Sequence, residues 1–507
     1  MPHSSRDSGG QPSENSSQPH ARAATGEGEL EAKRELTGKV AAVLLVVAAV
    51  WTALSWASTA FAQPPGAMPP GSMPPGGSGG EGMQPVDLKA QLEPLKQDDL
   101  EFAPDQIDPK WRDQFLIVNE LIRADDYTVF NKTENGKFRQ ALKSENLTPA
   151  ERDLIAKGAR IRTLRLSLEE NRRSLRDCVD EIVKDMELYG TGAPAREFAL
   201  QEFTKNAKLL LDNQLHVRIA AAILLRSLNG EKANPIRRTP ARPYVGALDI
   251  MLEILNNPNQ HEAVKIQAVK GVERICLDGD PKVDIRMKIA ETLAQQLKDQ
   301  KSNAWYQMVI ARALGSCNIS VNLQQQPFVA QVLLESMNDR NRHPMVRCEA
   351  ARSLGRVPFD NPSINMPLVT YELAELTYEM GSVYNRYPTL SYWSTCFWNL
   401  YLGFHPESNS EEAKGAGLLE LVKKSTFRSS ATLVTDAYQN AVKVVNGVLV
   451  EPVVGNRKPM DNNKLQPLAQ WLQANKPATD VLQPGMPSIN PPAAPPATTN
   501  DQASVTR

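Results

Sequence analysis

The sequence predicts an all-α protein: an α-solenoid of paired helices, preceded by one long helix and set between N- and C-terminal tails that stay disordered. Three observations carry this. Apolar residues recur at i, i+4 and i+8, the spacing of one helix face, through much of the middle of the chain. One such stretch returns at intervals of forty-odd residues. Pro-rich, low-complexity composition is concentrated at the two ends.

The first 109 residues fall into three zones. Residues 1–38 are polar and of mixed charge, with nothing to bury, so they read as disordered. Residues 39–62 hold VAAVLLVVAAVWTALSWASTAFA, uncharged from Val40 and preceded by Lys33, Arg34 and Lys39. The segment reads either as a signal peptide cleaved after Ala60-Phe61-Ala62 or as a retained transmembrane anchor. In both readings the positive flank stays in the cytoplasm and the rest of the chain is extracytoplasmic, periplasmic or secreted. Residues 63–109 form a linker that repeats Pro-Pro-Gly from 64, 69 and 74. A helical segment over 110–194 follows, then the repeat array over 195–405. A helical cap spans 406–475, and a Pro-rich tail runs over 476–507.

The array rests on four stretches in register. VRIAAAILLR starts at Val217, VKIQAVKGVE at Val264, YQMVIARALG at Tyr306 and VRCEAARSLG at Val346. The starts are 47, 42 and 40 residues apart. Positions i+4 (Ala221, Ala268, Ile310, Ala350) and i+8 (Leu225, Val272, Leu314, Leu354) are aliphatic or small, which sets one apolar face on each helix. An apolar helical stretch precedes each of them, at 195–211, 242–255, 284–297 and 327–337. One such pair cannot bury its apolar stripe, whereas stacked pairs bury it on both neighbours.

These stretches, most specifically VRxxAARxLG at 346–355, resemble the HEAT-repeat family of α-solenoids. The resemblance covers roughly 195–358 and extends more loosely to 405. It implies a protein-binding surface and no reaction. It also implies a polar ladder along the inner helices at the residue after the first apolar one. Arg218, Lys265 and Arg347 hold that place, and Gln307 departs from it, so the ladder is expected to be interrupted there.

The long helix is read over 149–189. Thr148, Pro149 and Glu151 form its capped start and Gly190 its stop, with Leu154, Ile161, Leu168, Leu175 and Ile182 recurring every seven residues. Its arginines (Arg160, Arg162, Arg165, Arg172, Arg173, Arg176) read as a solvated face paired along the helix with Glu169, Glu170, Asp177 and Asp180.

The aromatic cluster of 371–404 is the favoured partner site, since it holds ten of the chain's 30 aromatic residues. The partner-binding residues within it are Tyr384, Arg386, Tyr387, Trp393 and Trp398, because tyrosine, tryptophan and arginine anchor interfaces. The competing reading makes the cluster a bulky core. The five cysteines (178, 276, 317, 348, 396) include no C-x-x-C and read as small core residues, with a disulfide possible but its pair undetermined. DGDPKVD (278–284) lacks the oxygen spacing of a calcium loop; Gly279 reads as a helix stop and Asp284 as an N-cap. His216, His261 and His343 precede the repeat helices and read as caps.

A net charge of -1 argues against a nucleic-acid binder. H-E-x-x-H, G-x-S-x-G, phosphate-loop and dinucleotide-binding motifs are missing. No cofactor and no metal is therefore expected. The chain reads as a non-catalytic extracytoplasmic scaffold that binds a protein partner, tethered to the membrane if 40–62 is retained. Two alternatives stand beside it: an enzyme or an enzyme's accessory subunit that positions a substrate, and a cell-wall glycan binder using the aromatic cluster.

Overall fold

The computed structural model describes residues 119–490, apart from breaks at 235, 237–238, 300–301, 360–362, 407–416 and 451–457. The expectations for 1–38, 39–62, 63–118 and 491–507 lie outside the described residues. Within them no helix is long and apolar enough to cross a membrane. The described residues all belong to one unit, 94–507, and that unit is all-α. It has seventeen α-helices among the described residues, and its single ribbon pairs Asn229–Glu231 with Arg242–Pro243. The ribbon closes the inserted loop at its base.

The N-terminal helices are α1 (Ala124–Thr133), α2 (Asn135–Ala141), α3 (Pro149–Leu164) and α4 (Leu175–Tyr189). The start of α3 is as its sequence predicts: Thr148 Oγ1 accepts from the Glu151 amide at 3.3 Å, and Glu151 Oε2 accepts from the Thr148 amide at 2.9 Å. The forty-residue helix does not form. Two 3-10 turns and an extended Leu168 (φ -72, ψ 133) break it between 164 and 175. The charges explain the break. Arg162 and Arg165 are buried, and in a straight helix Arg162 would stand about 28 Å from Glu181 along the axis. Folding back brings Arg162 Nη1 to 2.8 Å from Asp185 and 3.3 Å from Glu181, and Arg165 Nη2 to 2.6 Å from Glu181. Ser167 Oγ donates to the Leu164 carbonyl at 2.7 Å and holds the corner. So these two arginines are not part of a solvated face. Arg172 and Arg176 are, each exposed and paired with Glu169 and Asp180.

Ten helices then alternate: α5 (Ala193–Leu209), α6 (Leu215–Ser227), α7 (Leu248–Asn256), α8 (Glu262–Asp278), α9 (Val283–Leu297), α10 (Ala304–Ser316), α11 (Phe328–Asn338), α12 (Pro344–Leu354), α13 (Met366–Arg386) and α14 (Trp393–Phe404). Two rows result. In one, α4, α6, α8, α10, α12 and α14 each pack on the next; in the other, α3 packs on α5, and α7, α9, α11 and α13 follow one another. The core lies between the rows. The aligned i+4 and i+8 residues are all there, none more than 1% exposed. Close approach is needed where the second helices end. A Cβ on Gly315 would stand 2.8 Å from Ser353 Cα, and one on Gly355 would stand 2.3 Å from the Gly403 carbonyl oxygen.

Caps separate the pairs. His261 Nδ1 accepts from the Ala263 amide at 3.0 Å, His343 Nδ1 from the Met345 amide at 3.2 Å, and Asn303 Oδ1 from the Trp305 amide at 2.8 Å. His216 is not a cap but lies inside α6, whose N-cap is Gln214. Asp284 is likewise inside α9, and Lys282 is the N-cap there.

The last helices, α15 (Leu418–Leu421), α16 (Ala431–Leu449) and α17 (Asn462–Ala474), close the far end: α16 packs on α13 and α14, and α17 on α13 and α16. The chain does not become a tail at 476. Residues 475–490 lie across α11 and α13, with Leu482 and Ile489 buried. The Asn365 amide donates to the Leu482 carbonyl at 2.8 Å, and Gln331 Nε2 donates to the Pro487 carbonyl at 3.4 Å. Leu482 and Ile489, spaced among the prolines, supply the apolar anchors that a Pro-rich composition conceals.

Candidate functional site

The five aromatic-cluster residues are not brought to one surface. Tyr384 and Trp393 are fully buried, edge to face at 5.9 Å between ring centres. Tyr384 Oη donates to the Lys458 carbonyl at 3.0 Å, and Trp393 Nε1 to the Tyr387 carbonyl at 2.8 Å. These hydrogen bonds satisfy the polar tips that burial would otherwise penalise. Both are core, joining α13, α14 and the segment before α17, and neither can meet a partner. Arg386 and Tyr387 are exposed at the end of α13. Trp398 is half-buried and stacked on Tyr401 at 5.4 Å, which in turn stacks on His405 at 5.2 Å.

The polar ladder residues are buried at one register and tie successive pairs together. Arg218 Nη1 donates to Gln260 Oε1 at 2.9 Å, and Gln260 directly precedes the N-cap of α8. Gln307 Oε1 accepts from Arg342 Nη1 at 2.7 Å, and Arg342 directly precedes the N-cap of α12. The same Arg–Gln bond thus recurs with its partners exchanged, so Gln307 does not interrupt the linkage. Lys265 is buried at the same place. Arg347 donates from Nη1 and Nη2 to the two Glu379 oxygens at 3.0 and 2.8 Å, and from Nε to the Met337 carbonyl at 2.7 Å. These side chains lock the array and are spent in doing so.

A second polar row runs along the same helices, starting about one and a half turns further on. Lys270, Arg312 and Arg352 occupy position i+6 of α8, α10 and α12, Arg274 occupies i+10 of α8, and Arg356 stands at the same offset just beyond the end of α12. Arg226 stands at the end of α6. All six are half-buried; the carboxylates beside them are Glu273 and Glu349, with Asp278 and Glu187 acting on Arg274. Glu349 is fully buried. Arg312 grips it from Nε and Nη2, both at 2.9 Å, Asn399 Nδ2 donates to it at 2.9 Å, and Arg352 lies 3.4 Å away. Burial alone would raise its pKa, but the Arg312 hydrogen bonds and charge, with Arg352 and Asn399, hold it below the usual carboxylate range. Lys270 is the converse. Burial first, then the charges of Arg226 and Arg312, press its pKa down, as expected of a cation crowded by cations. Aligning the repeats at i+6 would have exposed this row; attention to i+1 passed over it.

A cleft of roughly 210 Å³ opens between α11, α13 and the C-terminal segment, lined by Asn338, Arg340, Arg347, Glu372, Glu375 and Glu379 among others. Burial, reinforced by Glu375, pushes the Glu372 pKa up to about 7, while Asn338 Nδ2 donates to its carboxylate at 2.8 Å. Asn338 also donates to Asn490 Oδ1 at 3.2 Å. Glu379 is held low by Arg347 against the opposing effect of burial. These contacts make the cleft the seam that fastens residues 475–490 to the array. Among the described residues no group of three or more metal-ligating side chains could hold an ion.

No protein-family model matches this chain, and no curated protein or solved structure matches it either.

Proposed function

We propose that the chain is a HEAT-type α-solenoid acting outside the cytoplasm as a non-catalytic scaffold, and that it holds an acidic segment of a protein partner along its second-helix row. The observation that carries this reading is the row of six half-buried cations, Arg226 on α6, Lys270 and Arg274 on α8, Arg312 on α10, Arg352 on α12 and Arg356 just beyond it, which outnumber the carboxylates beside them, Glu273, Glu349 and, at Arg274, Asp278 and Glu187. Partly desolvated guanidinium and ammonium groups gain most from a carboxylate partner, through short charge-assisted hydrogen bonds. The forty-odd-residue recurrence and the packing of each second helix on the next support the solenoid reading. The uncharged stretch at 40–62 supports export, with or without a membrane tether.

The test is a crosslinking pull-down from the native envelope with the intact protein and with an Arg226→Gln, Lys270→Ser variant whose helical content and melting are first checked. One dominant protein partner is expected, crosslinked through an acidic segment. Its capture should weaken at least tenfold with added salt and again in the variant. Equal capture by the variant would move the site elsewhere, and retention of wall glycan or a small molecule in place of a protein would overturn the scaffold reading.

A further inference from the structure

Four of the five cysteines stand in two pairs, and each pair joins consecutive helices of the row that runs from α4 to α14. Cys276, near the end of α8, faces Cys317, the C-cap of α10, with the two Sγ atoms 4.0 Å apart. Their backbones are pinned together: Arg286 Nη1 of α9 donates to the Cys276 carbonyl at 3.0 Å and to the Cys317 carbonyl at 3.3 Å. One nitrogen reaching both carbonyls holds the two backbones close together beside sulfurs already in contact, so bonding asks for only a short approach of the two Sγ atoms. Cys348 in α12 and Cys396 in α14 are neighbours across the next junction of the row: the two helices pack on each other, both thiols are fully buried, and burial together with the adjacent Cys396 thiol pushes the Cys348 thiol well up. All five are buried, but Cys178 stands apart in α4, with Arg165 and Ser174 beside it. Packing alone asks only for small apolar residues here; it does not ask that thiol meet thiol twice at successive-helix junctions.

We propose that Cys276–Cys317 and Cys348–Cys396 close as two disulfides when the protein folds in the presence of a disulfide oxidant, and that Cys178 remains a thiol. Each closure forms one S–S bond. The two thiols give up two protons and two electrons, which reduce one oxidant disulfide, such as oxidised glutathione, to two thiols. The proposal depends on the extracytoplasmic reading only for the oxidant met in the cell.

Because the sulfurs are buried, the full chain should be refolded from the reduced state in a glutathione redox buffer, alkylated, digested and mapped by mass spectrometry. The expected result is two cross-linked peptide pairs, 276 with 317 and 348 with 396, a single alkylated cysteine at 178, and a fall in the thermal midpoint on reduction. Cys276→Ala should abolish the first cross-link and leave the second. Five alkylated cysteines, or any other connectivity in correctly folded protein, would overturn the proposal. A separate arm traps thiols in native cells before lysis. Free thiols there, with both cross-links formed in the redox buffer, would count against the extracytoplasmic reading and leave the pairing intact.

Discussion

Glu349 shows how one side chain can be both the most buried and the most committed charge in a helix. Its carboxylate is 0% exposed and holds Arg312, Arg352 and Asn399 from three successive second helices. Replacing it with Ala leaves Arg312, itself one-third exposed, without its bidentate partner, and the expected loss is about 3 kcal/mol of unfolding free energy by urea denaturation. The sign of its pH dependence follows from its lowered pKa. The stabilisation is present above the unfolded carboxylate value of about 4.3 and is lost as pH falls through the folded value. Wild-type and Glu349→Gln stability curves should therefore converge in acid. Glu372 runs the other way. With its folded pKa raised to about 7, its contribution is complete below about pH 4.3 and is lost as pH rises through 7. Glu372→Gln should flatten stability between those limits, read by the urea midpoint across pH 4 to 8.

At the scale of elements, the second helices approach so closely at their ends that a methyl group has no room. Gly355→Ala places a carbon against the Gly403 carbonyl, where backbone rather than a mobile side chain must yield. The expected cost is about 1–3 kcal/mol, visible as a lowered thermal midpoint, whereas Gly136→Ala, which meets nothing within 4 Å, should be near neutral or stabilising. The corner between α3 and α4 is an electrostatic element in the same sense. Its two buried arginines have their acids on the returning helix, so a hydrophobic repeat that favours a straight rod gives way to ion pairing that only a fold-back can satisfy.

Across the described part of the molecule, stability is a chain of junctions. Each second helix rests on the next, the Arg218–Gln260 and Gln307–Arg342 bonds fasten successive pairs, and residues 475–490 lie across α11 and α13. Terminal elements of such a stack shield an apolar face that would otherwise meet water. A chain ending at Ala474 should thus lose the buried Leu482 and Ile489 contacts. Hydrogen exchange should then accelerate first in α11 and α13 and leave α5 and α6 protected. Uniform acceleration throughout would mean that the array unfolds as one unit.

The sequence by itself determined the helices of the array, their pairing and their inward faces, because a 3.6-residue period and a forty-odd-residue recurrence are local patterns that survive any particular packing. It also carried the cation row at i+6, legible wherever the repeats are aligned. Only the tertiary structure decided which polar groups are spent. Tyr384 and Trp393 look like interface anchors by composition and are core, because α16, α17 and the segment just before α17 cover that end. Arg162 and Arg165 look solvated and are buried, because their partners lie about twenty residues away and meet them only through a turn. Gln307 looks like a gap and is half of a bond whose arginine sits in the next pair. Cys276 and Cys317 look unrelated at 41 residues apart and touch. In each case the deciding partner is distant in sequence, and distance in sequence is what a local pattern does not encode.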